Sequence, residues 1–309
     1  MTRFLTFIIA LMIVLLQAAI RSQNFEHTSW ADYAAGEYNI TPDIVYSTAN
    51  NISLKLDLYL PQKKELSIPA LIFFHGGGWV SGQKEQHTLQ LLPYLSMGWA
   101  VINVEYRLAD NSLAPAAVED CRCALRWVLS HAQQYNFDTS KIVLTGTSAG
   151  AHLALITGML PVKSVFDRQC ATPENIRWLN DHETEMKVAA IINWYGITDV
   201  TDLLEGPDAR HYAIEWFGSK NNRMELAKEI SPINYVRAGL PPIISIHGDK
   251  DNIVPYKDAV KLHKLLDQFG VPNKLITIAG AKHGGFCKQA MIESWVTIRK
   301  FLIENNILE

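Results

Sequence analysis

Six short apolar runs constrain this chain more than any other feature. "ALIFFHGGG", "AVINVEY", "KIVLTG", "VAAIINWYG", "PIISIHGD" and "KLITIAG" are nearly continuous in aliphatic and aromatic residues. A strand with one wet face alternates apolar and polar residues. A strand that is apolar throughout is covered on both faces, as in a parallel sheet. Between the runs lie stretches with helical spacing. "APAAVEDCRCALRWVLSHAQQYN" has Pro115 near its start, "PYKDAVKLHKLLDQFG" opens at Pro255 and stops at Gly270, and "KQAMIESWVTIRKFLIEN" follows the last run. This alternation predicts an α/β fold: a mostly parallel central sheet, helices on both faces and right-handed crossovers. "ISLKLDLYLP" differs. Leu54, Leu56, Leu58 and Leu60 share one side, which predicts a half-buried antiparallel strand at a sheet edge. Residues 159–187 and 200–238 are too long and polar for crossovers. They are expected as insertions over the C-terminal edge of the sheet, where ligands bind in this architecture.

The chain has 309 residues, 48% of them hydrophobic, enough for one large core. A net charge of −3 offers no basic stripe for nucleic acid and no acidic tail for a charge-driven partner. Residues 1–22 place an apolar run after Arg3 and are expected to be an export signal cut near Ser22, giving a periplasmic or secreted protein. An uncleaved membrane anchor is the alternative, and stable membrane association is expected only then. Residues 23–42 are expected as an arm or linker, and 43–309 as the domain. Cys121 and Cys123, two apart on one helix, point to different sides and cannot bridge each other. Two readings stay open for the four cysteines: a disulfide involving Cys170 or Cys287, or four unpaired thiols. Their spacing resembles no metal site.

"GTSAG", with Gly146, Ser148 and Gly150, stands between a strand-like run and the helix-like "AHLALITGML". A strand-to-helix turn of this kind strains the backbone at the serine and leaves its hydroxyl free at a helix N-terminus. The glycines keep Cβ atoms out of the crowded turn. Serine needs a base to become a nucleophile and donors for the oxyanion that forms. "HGGGW", His75 to Trp79, follows an early strand and offers the N–H groups of Gly77 and Gly78, joined by that of Ala149. Of ten histidines, His283 in "AGAKHGGF" lies late, on a glycine-flanked loop after the last strand. His152 is expected to be packed or hydrogen-bonded, and His75 and His247 to brace their loops. "HGDKDNIVP" offers two carboxylates, Asp249 and Asp251. Asp251 is the choice for the acid, and the other reads as a turn carboxylate. The order serine, acid, histidine is that of one known class of hydrolase.

These motifs are where the chain, from about residue 43 onward, resembles the α/β-hydrolase superfamily, in its esterase branch with an "HGGGW" loop. "YRLADNSLAPAAVEDCRCALRWV" is similar to the hormone-sensitive-lipase-like esterases. "VAAIINWYGITDV" and "ISPINYVRAGLPPIISIHGDKDNIVP" are closer to bacterial acetyl-ester and feruloyl-ester hydrolases acting on plant polysaccharide. The resemblance implies Ser148, Asp251 and His283 as a triad and Gly77, Gly78 and Ala149 as oxyanion donors. It also implies ester hydrolysis through an acyl-enzyme, a small-molecule or oligosaccharide ester as substrate, and neither metal nor organic cofactor. The chain departs from the lipase-like pattern in having only a short arm, not a helical cap, ahead of its "HGGG" strand. Arg107 and Asp120 are expected as a buried structural ion pair.

Two rival readings share the scaffold: a peptidase or amidase of the prolyl-oligopeptidase type, and a non-catalytic binding module. The short arm speaks against the first, and the complete set of three residues against the second. Trp178, Trp194, Tyr195, Tyr212 and Trp216 either stack on a sugar or feruloyl ring or pack the insertions onto the sheet.

Overall fold

The computed structural model describes residues 36–62, 67–161, 163–167, 170 and 186–309. The expected signal segment, Trp178 and most of the first insertion lie outside the described residues.

The described chain builds one eight-stranded sheet in the order β1-β2-β4-β3-β5-β6-β7-β8. Strand β1 (Tyr38–Ala49) and β2 (Ile52–Pro61) form an antiparallel hairpin, turned by Asn50 and Asn51, both with positive φ. Asparagine tolerates that conformation better than most residues. β2 also runs antiparallel to β4 (Ala100–Val104). The other pairings, among β3 (Ile68–Phe74), β4, β5 (Phe137–Thr147), β6 (Ala190–Trp194), β7 (Ile243–Gly248) and β8 (Asn273–Ile278), are parallel.

Side chains of the central strands part to two cores. Ala70, Ile72 and Phe74 of β3 join the larger, and Leu71 and Phe73 the smaller. The larger core is capped by α1 (Ala116–Ser130), α2 (Ala149–Met159) and α5 (Tyr256–Gln268). The smaller lies under α6 (Lys288–Glu304) and the stretch from Leu91 to Trp99. Burial of these faces, at about 25 cal/mol per Å² of apolar surface, is the main force holding the layers together. Residues 200–238 carry two short helices, α3 (His211–Phe217) and α4 (Arg223–Glu229).

Three details differ from the sequence expectation. Strand structure begins at Tyr38, inside the stretch read as an arm. β2 lies second from the edge and is not half-buried: Asp57 and Tyr59, on its polar-looking side, are buried as well. The carboxylate of Asp57 is covered because Lys84 folds over it at 2.8 Å, and that lysine is itself buried. β8 is apolar in sequence yet only partly buried, because it has a neighbour on one side only.

Candidate active site

Strand order reverses between β3 and β5, since β4 lies on one side of β3 and β5 on the other. The C-terminal ends of such a pair open a crevice. "HGGGW" emerges there from β3, and Ser148 from β5.

Ser148 has φ 54° and ψ −119°, the strained turn read from "GTSAG". The glycines that flank it are required by contact. A Cβ on Gly146 would lie 2.5 Å from the carbonyl oxygen of Phe74, and one on Gly150 would lie 2.0 Å from the same atom. The turn is therefore pressed against the end of β3. The N–H of Ser148 donates to the carbonyl of Trp194 at 2.9 Å, tying the turn to β6.

The Ser148 hydroxyl lies 2.8 Å from His283 Nε2, and His283 Nδ1 lies 2.7 Å from Asp251 Oδ2. Sequence separation is 135 residues across the first contact and 32 across the second. The other oxygen of Asp251 accepts the N–H groups of Ile253 and Val254 at 2.8 and 3.0 Å. Burial would raise the carboxyl pKa, but hydrogen bonds from His247, His283 and the Val254 N–H overcome it and hold the group well below the usual carboxylate range. Asp249 does different work. Its Oδ1 accepts the Gly280 N–H at 2.6 Å and fastens the histidine loop. Lys250 N–H donates to Ala281 O in the same seam. A Cβ on Gly248 would come within 2.3 Å of that oxygen, so the two loops touch backbone to backbone.

The "HGGGW" loop turns through Gly77 at φ 123° and Gly78 at φ 61°. A side chain at Gly77 would strike Ser81 O at 1.9 Å. Among the described residues, neither glycine N–H donates to another backbone group. His75 braces the loop as expected. Its Nδ1 lies 2.7 Å from Gly76 O, Tyr106 donates to its carbonyl at 2.8 Å, and the two rings stack with centroids 4.3 Å apart. His152 is buried, with Nε2 2.8 Å from Ile230 O. Burial holds both imidazoles down at about 4. Arg107 and Asp120 form the expected buried pair, with Nη2 2.7 Å and Nε 2.9 Å from the carboxylate.

Two hollows meet at Thr147, the residue before Ser148. An open cleft of about 790 Å³ is bounded by the glycine loop, Ser148, His283, Tyr212 and Ile253. A more enclosed pocket of about 360 Å³ lies beside it, walled by Tyr94, Trp194, Phe286, Met291 and Trp295. Thr147, Tyr195 and Gly284 border both. Tyr195 packs edge-on against His283 at 4.8 Å, and burial pushes its phenol up to about 12, with the Asp251 charge adding. The aromatics read from sequence therefore divide. Trp194, Tyr195 and Tyr212 face the hollows. Trp216 is core, stacked on Trp79 at 4.2 Å.

The BD-FAE family model matches residues 56–266. The chain belongs to the BD-FAE family. Among relatives of this BD-FAE chain, esterase LipQ of Mycobacterium tuberculosis is 28% identical over 70% of the chain and 50% of its own length. The chain spans about half the length of the curated relatives it matches. Esterase 2 of Thermogutta terrifontis, in its apo form, superposes with a TM-score of 0.71 at 30% identity, over 89% of this chain and 97% of that one. The same esterase has been seen phosphorylated by paraoxon. A truncated carbohydrate esterase from gut microbiota gives 0.71 at 27% identity, over 87% and 97%. The fold of the BD-FAE chain is thus the α/β-hydrolase fold that its motifs resemble.

Sequence reasoning missed two features of the site. One is a contact of His247, which braces its loop through Val254 O at 3.2 Å as expected but also sets Nε2 3.1 Å from Asp251 Oδ2; the spacing of "HGDKD" was the available signal. The other is the wall of the more enclosed pocket from Tyr94, Met291 and Trp295, which come from segments without a motif.

Proposed function

We propose that this protein is a serine carboxylic ester hydrolase working through an acyl-enzyme, with Ser148 as nucleophile, His283 as base and Asp251 as the acid that orients it. The unbroken chain Ser148–His283–Asp251 at 2.8 and 2.7 Å, opening into a cleft, carries the reading. His283 takes the hydroxyl proton as Ser148 attacks the ester carbonyl. The oxyanion is met by the N–H groups of Gly77, Gly78 and Ala149. His283, now an imidazolium held by Asp251, gives its proton to the departing alcohol. It then removes a proton from the water that releases the acid. The relatives named esterase and lipase support this reading.

The substrate is an acetyl or feruloyl ester of plant polysaccharide. Support comes from the likeness to a carbohydrate esterase, from the aromatic pocket that suits a planar acyl group, and from the open cleft that leaves room for sugar. The protein acts outside the cytoplasm. The bond between Cys123 and Cys170 supports that placement, because disulfides persist in oxidising compartments.

Release of acetate from acetylated xylo-oligosaccharides and of ferulate from methyl ferulate tests the assignment, with Ser148→Ala as the blank. Loss of about 10⁵-fold or more in the variant is expected. Release of neither acid, with paraoxon still modifying Ser148, would remove the polysaccharide substrate and leave the serine hydrolase. An unmodified Ser148 and no ester cleavage would remove both.

A further inference from the structure

Asp251 Oδ2 has two imidazoles beside it. His283 Nδ1 lies 2.7 Å away, and Nε2 of His247 lies 3.1 Å away. His247 stands at the end of β7 and is completely buried. Its Nε2 also lies 3.2 Å from the carbonyl oxygen of Val254. Both neighbours of Nε2 are acceptors, so that nitrogen carries the hydrogen. The other nitrogen, Nδ1, is buried with no hydrogen-bond partner among the described residues, which suits a bare lone pair and not an N–H.

We infer that His247 is a positioning residue for the reaction: a neutral imidazole, protonated on Nε2, that shares Asp251 Oδ2 with His283, aims that oxygen at His283 Nδ1 and keeps the transferred proton on His283. The inference rests on the hydrolase reading above. With Oδ1 held by two backbone N–H groups and Oδ2 by two rings, the carboxylate cannot rotate away from the base. A second donor also draws charge from Oδ2. The oxygen becomes less basic, so the imidazolium formed during acylation does not lose its proton across the bond. Other titratable and charged groups near the cluster are Asp249 on the adjoining turn, Arg210, whose guanidinium donates to the carbonyls of Asn252 and Ile253, and three phenols. Tyr256 lies edge-on to His247 at 5.7 Å, Tyr195 edge-on to His283 at 4.8 Å, and Tyr212 is near enough to feel the Asp251 charge.

The first test is the tautomer, read by ¹⁵N NMR of the histidine-labelled parent protein. His247 is expected to carry its proton on Nε2, with Nδ1 bare. A proton on Nδ1 overturns the inference. The second test is His247→Phe, which keeps a ring and removes the donor. Its kcat is expected to fall about ten- to hundredfold with KM unchanged. The acid limb of its kcat/KM profile should move to higher pH, because Asp251 then has more charge to offer the imidazolium. His247→Gln returns an N–H and should recover part of kcat and draw the limb back. A His247→Phe enzyme with parental melting temperature, rate and limb overturns the inference. So does a loss shared equally by both variants with the limb unmoved, since that is packing alone. Should His247→Phe fail to fold, the tautomer decides. Failure of the hydrolase reading shows separately, as a parent that cleaves no ester and leaves Ser148 unmodified by paraoxon.

Discussion

Ser148 holds a backbone conformation that costs a non-glycine residue about 1–3 kcal/mol, and the surrounding hydrogen bonds keep it there. Single atoms decide much around it. Asp249 and Asp251 are two residues apart and both buttress turns, yet only Asp251 reaches His283. Asp251→Asn should lower kcat by about 10⁴-fold, because the amide no longer fixes the tautomer of the base. Asp249→Asn keeps an oxygen for the Gly280 N–H and should stay within about tenfold of the parent, compared by steady-state ester hydrolysis. Gly77→Ala places a methyl 1.9 Å from Ser81 O at a positive φ. The loop must then move, and a loss of at least about a hundredfold in kcat is expected. At this scale the meeting of Ser148, His283 and Asp251 was legible, because each sits in a motif with a chemical reason for its spacing. The second partner of Asp251 Oδ2, His247, was not, because the sequence does not show which way a ring nitrogen points.

Among the elements, the strands of the parallel sheet were the most legible, since burial on both faces leaves an unbroken apolar run. The errors came at the margins. β8 has an edge strand's exposure with a core strand's sequence. β2 buries Asp57, which reads as a solvent-facing carboxylate until Lys84, 27 positions on, comes to cover it. Pairing of the cysteines was open in the sequence, and the sulfurs of Cys123 on α1 and Cys170 beyond it are bonded across 47 residues. Arg122, one position before Cys123, grips Asp167 with both Nε and Nη2 at 2.6 and 2.7 Å, so the start of the insertion is fastened twice to one helix. Replacing both cysteines by serine should cost about 2–4 kcal/mol. The cost is measured by denaturant unfolding of the double variant beside the parent, and an unchanged midpoint would show that the ion pair alone holds the segment.

For the whole molecule, two neutral imidazoles in the core contribute to the response to acid. His75 and His152 take a proton only near pH 4 in the fold, against an ordinary value of 6.5. Between those values the unfolded chain binds more protons than the native one. Stability therefore falls as pH drops through that window, by on the order of 3 kcal/mol for each histidine. Asp258, pushed up to about 6 by burial with the Asp202 charge adding, works in the opposite direction and offsets part of the loss. Unfolding midpoints measured at pH 7, 5.5 and 4.5 should decline, and more gently in His152→Gln, which keeps a donor for Ile230 O without a titrating ring. On the hydrolase reading, catalysis depends on pH for its own reason, because a protonated His283 cannot accept the Ser148 proton. A flat rate profile between pH ~5 and ~8 would exclude His283 as base.

On the hydrolase reading, the 135-position separation of Ser148 and His283 has a consequence for biosynthesis. Ser148 leaves the ribosome long before His283, and Asp251 also precedes His283 by 32 positions. A nascent chain halted anywhere before residue 283 holds an ordinary, unreactive serine hydroxyl. On the hydrolase reading, the emerging polypeptide is inert toward the esters of the cell that makes it until its last strand and the loop beyond have closed onto the sheet.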